Sequence, residues 1–147
     1  RDFNYGFYGK AAEPMQEYDE MLWSIWEDLH QDVPGLRELH KKHGAGAFPV
    51  YLTKEFVASA SNIFDRAEHL AGENEVLLHR VQRERLPILF LQNEQGPGSD
   101  LDEHRRNIDK FETIARRNDV KSVRSGLRVP DCDAIIAEWR KKVETKR

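Results

Sequence analysis

Apolar positions along this chain recur every three or four residues, not every two, so the pattern predicts helices. Tyr18, Leu22, Ile25, Trp26 and Leu29 form the first stripe and predict a helix over residues 10–31. Pro14 falls in its opening turn, where a missing N–H does no harm, and Val33, Pro34 and Gly35 end it. A short helix over 36–43 and a Gly/Ala/Pro loop over 44–49 follow. Thr53 is a good N-cap for a second long helix, whose stripe is Phe56, Ala60, Ile63, Ala67 and Leu70, with Gly72 just past its end. The third helix is expected from residue 73 or 74 to about 92. It opens on Val76, Leu77, Leu78 and Val81 and closes on residues 86–91, an apolar run with no polar side. Such a run suits a strand or the centre of a bundle. The helix-forming stretch over 80–85 leads directly into it and favours the helix, kinked at Pro87.

Gly96, Pro97 and Gly98 break the pattern. Ser99, with Asp102 three residues on, has the form of a capping box. Leu101, His104, Ile108, Phe111 and Ala115 then share one face. Residues 118–130 are polar, contain Gly126 and Pro130, and read as a connector. A last helix over 131–142 turns Cys132, Ile135, Ile136, Trp139 and Val143 inward. The expected fold is therefore all-α: an antiparallel bundle of four to five helices with short connectors. At 147 residues the expectation is one core, with residues 10–147 as the bundle and 1–9 as a junction to an upstream domain.

Composition refines this picture only a little. The chain is 39% hydrophobic and 33% charged, as long helices with solvated faces are. No apolar run approaches the roughly 20 residues of a membrane span. The net charge of −3 names no partner, but its distribution is uneven. Residues 1–33 hold two basic groups against eight acidic, and residues 104–147 hold thirteen basic against seven acidic. Two solvated faces explain this more simply than two ends packing side by side. The single cysteine, Cys132, excludes an internal disulfide and reads as a small buried hydrophobe.

Few residues are placed for chemistry. Glu27 and His30 have the Glu-x-x-His spacing of a di-iron bundle, but a second pair is missing, so a surface pair is the better reading. His40 and His43 fit one helical turn without a cysteine or carboxylate cluster to complete a metal set. His69, His79 and His104 are scattered, and no metal or cofactor is assigned. The carboxylate runs Asp19-Glu20, Glu27-Asp28 and Asp100/Asp102-Glu103 read as solvated helix faces, not as the carboxylates of a sugar cleft. Arg105, Arg106, Arg116, Arg117, Lys121, Arg124, Arg128 and the 140–142 run make a basic set of the kind nucleic-acid binders carry. Acidic residues are interleaved throughout it. At the other end, Tyr5, Phe7, Tyr8 and Trp23 are candidates for an interdomain contact, and we read Arg1 as lying inside a larger protein.

Tyr8-Gly9-Lys10-Ala11-Ala12-Glu13-Pro14 resembles the Tyr-Gly-x-Ala-Ala-x-x motif of a group of secreted bacterial glycoside-hydrolase-like proteins. These carry a (β/α)₈ barrel similar to that of α-glucuronidases, followed by a helical region. Leu52-Thr53-Lys54-Glu55-Phe56, Ile63-Phe64-Asp65-Arg66-Ala67-Glu68 and Arg85-Leu86-Pro87-Ile88-Leu89-Phe90 resemble later helices of that region, in the same order. The likeness covers residues 5–92, and 99–147 have no counterpart in it. The resemblance implies a non-catalytic C-terminal accessory domain that packs on the barrel or mediates homodimerisation. It also implies a periplasmic or extracellular location. No catalytic residue transfers to this chain, because such enzymes place theirs on barrel strands. The alternative is a free-standing helical interaction module that binds nucleic acid through its basic C-terminal half.

Overall fold

The computed structural model describes residues 2–30, 52–122 and 131–146. The short helix and loop expected over 36–49 lie outside these, as do His40, His43, Arg124 and Arg128. The described residues are helical: α1 Asp2–Tyr8, a 3₁₀ turn Gly9–Ala11, α2 Ala12–His30, α3 Lys54–Ala71, α4 Glu75–Glu94, α5 Leu101–Arg117 and α6 Cys132–Glu144. Among them the sole β-type pairing is an isolated antiparallel bridge between Ser122 and Asp131. They form two compact units, divided between Val81 and Gln82.

The first unit holds α1, the turn, α2, α3 and the start of α4. Helix formation begins earlier than the apolar pattern indicates, because residues 2–8 are already helical. Thr53 caps α3 as expected, its hydroxyl accepting from the Phe56 N–H at 3.1 Å. Gly72 closes α3 at φ +55, a left-handed value that glycine adopts without strain. Phe56, Ala60, Ile63, Phe64 and Ala67 are buried on one side of α3, against Met15 and Tyr18 of α2. The Tyr18 and Phe64 rings lie 4.7 Å apart, and Glu17 pairs with Arg66. Gly9, at the head of α2, comes close to Leu77, just beyond α3. Running up α2 therefore means running down α3, so the two are antiparallel.

The α2 stripe is only half covered. Met15 and Tyr18 are buried, but Leu22 keeps 38% of its surface and Trp26 48%. Trp26 was expected in the core, and this corrects that expectation. Its position on the stripe is as expected, but nearly half of its surface stays in solvent.

The second unit packs the rest of α4 with α5 and α6. Arg117 reaches Gln82, and Asn93 reaches the Asn107 carbonyl, so α4 and α5 are antiparallel. Arg116 meets Asp133 and Glu112 meets Arg140, so α5 and α6 are antiparallel too. The core joins Leu89, Ile108, Phe111, Ile114, Ile135, Ile136, Trp139 and Val143, with Leu86 and Phe90 packed against it. The apolar run over 86–91 is thus helical and central. Pro87 sits inside α4 with its ring exposed. It has no N–H to offer the Arg83 carbonyl, so α4 lacks one intrahelical hydrogen bond there.

One cap differs from expectation. Asp100, not Ser99, caps α5, accepting from the N–H groups of Asp102 and Glu103 at 2.9 and 2.8 Å. A carboxylate serves both orphan donors and faces the positive end of the helix dipole, which a serine hydroxyl does less well.

Candidate functional site: an aromatic surface on the first unit

The most unusual feature of the first unit is what it leaves in solvent. Phe3 is 71% exposed, Tyr5 55%, Trp23 59% and Trp26 48%. Folding normally takes large aromatics out of water, so those left outside are candidates for a contact surface.

The exposed aromatics fall in two groups, Phe3 and Tyr5 on α1 and Trp23 and Trp26 on α2. On α1, the spacing of four between Phe3 and Phe7 stacks their rings, with centroids 5.4 Å apart and planes at 12°. Tyr8 meets Phe7 edge-on at 4.9 Å. The Arg80 guanidinium lies 4.2 Å over the Phe7 ring and donates to the Phe7 carbonyl at 2.5 Å, so a cation–π contact and a hydrogen bond together fix α1 on α4. Gly9 has φ +51, where a side chain is strained, and a Cβ there would stand 3.1 Å from the end of the Leu77 side chain, which would have to give way. On α2, Trp23 and Trp26 stack at 4.9 Å, and the Trp23 indole N–H donates to Glu27 at 2.8 Å. Asn4, between Phe3 and Tyr5, ties the two helices together. Its side-chain amide donates to Asp19 at 2.9 Å, one helical turn before Trp23.

Of the four residues expected at an interdomain contact, Tyr5 and Trp23 are exposed, Phe7 is half-buried under Arg80, and Tyr8 is buried at 7%. Phe3, Trp26 and Arg80 were not anticipated. The spacing of Phe3 and Phe7 was the available signal, hidden because residues 1–9 were not expected to be helical.

The carboxylates of this surface are held in local bonds. Asp19 accepts from Asn4, Glu20 from Gln16, and Glu27 from Trp23. In the second unit Asp100 is a helix cap, and its pKa is lowered chiefly by the Glu103 N–H. Among the described residues no group of three or more histidine, cysteine or acidic side chains is placed to hold a metal ion. The side chain of His30 lies outside the described set. His69 is exposed and His104 buried, on different helices.

Several basic residues of the second unit are paired with carboxylates. Arg116 bonds Glu112 and Asp133 at 2.8 and 2.9 Å, and Arg140 bonds Asp109 and Glu112 at 2.8 and 2.6 Å. Glu112 is held below the usual carboxylate range by Arg140 first and Arg116 second. Lys142 pairs with Glu138, and Arg105 with Asp102. Arginines occupied by carboxylates of their own unit offer a phosphate backbone little net charge.

A cavity of about 370 Å³ opens beside Cys132, lined by Arg116, Asp119, Lys121, Asp131 and Asp133 among others. Burial, followed by Asp133, raises the thiol pKa, the opposite of what a nucleophilic cysteine needs. No protein family, curated protein or solved structure matches this chain.

Proposed function

We propose that this chain is a non-catalytic helical accessory domain that works by docking, with the aromatic surface of its first unit as the contact. The observation that carries the reading is the exposure of Phe3, Tyr5, Trp23 and Trp26 on two adjoining helices of a unit with a well-buried core. A surface of that composition loses solvent-exposed apolar area only when something sits on it. The carboxylates around it are engaged in hydrogen bonds along and between helices, which suits a rigid scaffold better than acid–base work. The motif resemblance supplies a partner, the (β/α)₈ barrel of a bacterial glycoside-hydrolase-like protein, and with it an exported setting. The basic residues of the second unit, of which Arg116 and Arg140 are each held by two carboxylates, support a nucleic-acid partner less well.

Hydroxyl-radical footprinting tests the reading. The 147-residue chain alone is compared with the chain in the presence of the proposed partner, a (β/α)₈ barrel domain. Phe3, Tyr5, Trp23 and Trp26 are expected to label strongly in the first and to be protected in the second. Equal labelling of all four in both would overturn the docking reading. Turnover of aryl-glycosides or uronides by the chain alone, abolished by one Asp or Glu substitution, would overturn its non-catalytic character.

A further inference from the structure

The aromatic surface has a charge, and the charge selects its occupant. Helix α2, Ala12–His30, carries six carboxylates and not one lysine or arginine. Three of the six stand round the tryptophan pair. Asp19 and Glu20 precede Trp23 by four and three residues, and Glu27 follows it by four, all at spacings that share a helix face. Glu20 and Glu27 are exposed beside the exposed indoles. Each carboxylate accepts one hydrogen bond from a neutral donor, Asn4, Gln16 or Trp23, and that leaves its negative charge in place.

Indole faces attract cations through the ring quadrupole, and tryptophan does so best among the aromatics. Carboxylates at the rim of the same rings attract the same charge. Arginine satisfies both at once, since its guanidinium stacks flat on a ring and donates to carboxylates in its plane. Resting on the docking reading, we propose that the Trp23–Trp26 face receives a cationic segment of its partner, with an arginine laid on the indole pair between Glu20 and Glu27.

The same charge excludes the other occupants. Two copies of this chain meeting face to face would bring two net-negative faces together, which disfavours that pairing. An anionic lipid surface would be repelled likewise.

The test uses intrinsic fluorescence. Trp139 is fully buried in the second unit and serves as a constant background for Trp23 and Trp26. The whole chain is titrated with a synthetic (Arg-Ala)₆ peptide in 50 mM and 200 mM NaCl, with (Glu-Ala)₆ as control. Saturable quenching by the arginine peptide alone is expected, weakening with salt. Affinities of the variants are read by isothermal titration calorimetry, which needs no tryptophan reporter: both Trp23→Ala/Trp26→Ala and Glu20→Gln/Glu27→Gln should lower affinity at least tenfold, and the second should flatten the salt dependence. Circular dichroism checks that both variants are folded.

Three results would overturn the inference. One is no quenching of the wild type by the arginine peptide. Another is equal affinity in the tryptophan variant, which means charge alone. The third is a dimer in light scattering that Trp23→Ala/Trp26→Ala dissociates, which means that a second copy sits on the face. If footprinting shows protection of Trp23 while the arginine peptide does not bind, the docking reading stands and the cationic partner falls.

Discussion

Trp139 offers the sharpest test of the packing. It is fully buried on α6, edge-on to Phe111 at 5.1 Å and tilted on Phe90 at 5.6 Å. Its indole N–H donates to the Glu94 carboxylate at 2.8 Å, which ties α6 to the end of α4. Trp139→Ala removes the ring, both aromatic contacts and the hydrogen bond. Truncations of buried aromatics of this kind cost about 3–5 kcal/mol. Trp139→Phe keeps an aromatic ring and isolates the polar part, because a hydrogen bond to a charged acceptor contributes about 1.5–3 kcal/mol. Domain stabilities run at about 5–15 kcal/mol, so the alanine variant should lose a large share of the stability of its unit. Urea unfolding followed by far-ultraviolet circular dichroism measures each difference. Trp23→Ala, on the exposed pair, is the control and should change stability by no more than about 0.5 kcal/mol. A loss below about 1 kcal/mol for Trp139→Ala, against the 3–5 expected for a buried ring, would refute the assembly of α4, α5 and α6 round this side chain.

Two further outcomes are expected. Thr53→Ala should cost about 1 kcal/mol by orphaning the Phe56 N–H, and Thr53→Ser should restore most of it; equal stability of all three proteins would deny the cap. His104 is buried, its Nε2 without a hydrogen-bond partner, and burial first and Lys146 second lower its pKa from 6.5. Its folded-state pKa lies below the unfolded value, so its contribution is complete above about pH 6.5 and is lost as pH falls toward the folded value. Urea midpoints at pH 8 and pH 5 should thus differ more for the wild type than for His104→Leu; an equal or smaller difference would contradict the placement.

Much of the helical framework was legible in the chain because helices are written locally. Thr53, Gly72 and the stripes Phe56-Ala60-Ile63-Ala67 and Cys132-Ile135-Ile136-Trp139-Val143 set the ends and inner faces of α3 and α6 through contacts within four residues. The apolar run over 86–91 was legible as a centre because a helix apolar on every side is stable only inside. The cap at Asp100 was missed by one residue, since Ser99 and Asp100 are both competent caps and their order alone does not rank them.

The candidate site was only half legible. Periodicity places Trp26 in line with Met15 and Tyr18, yet Met15 is buried and Trp26 half-open. Periodicity records which side chains share a helix face. Burial depends on what other elements bring to that face, and those elements come from distant parts of the sequence. The same holds for Arg80, which the chain shows as one more helical cation. Only the fold carries it 73 residues back to cover Phe7 and leave Phe3, Tyr5 and the tryptophan pair facing outward. Sequence alone determined the long helices and most of their inner faces, though not the short α1, through short-range sterics and hydrogen bonding. The tertiary structure decided which aromatics stay in solvent and which carboxylates stand beside them, because those depend on long-range neighbours.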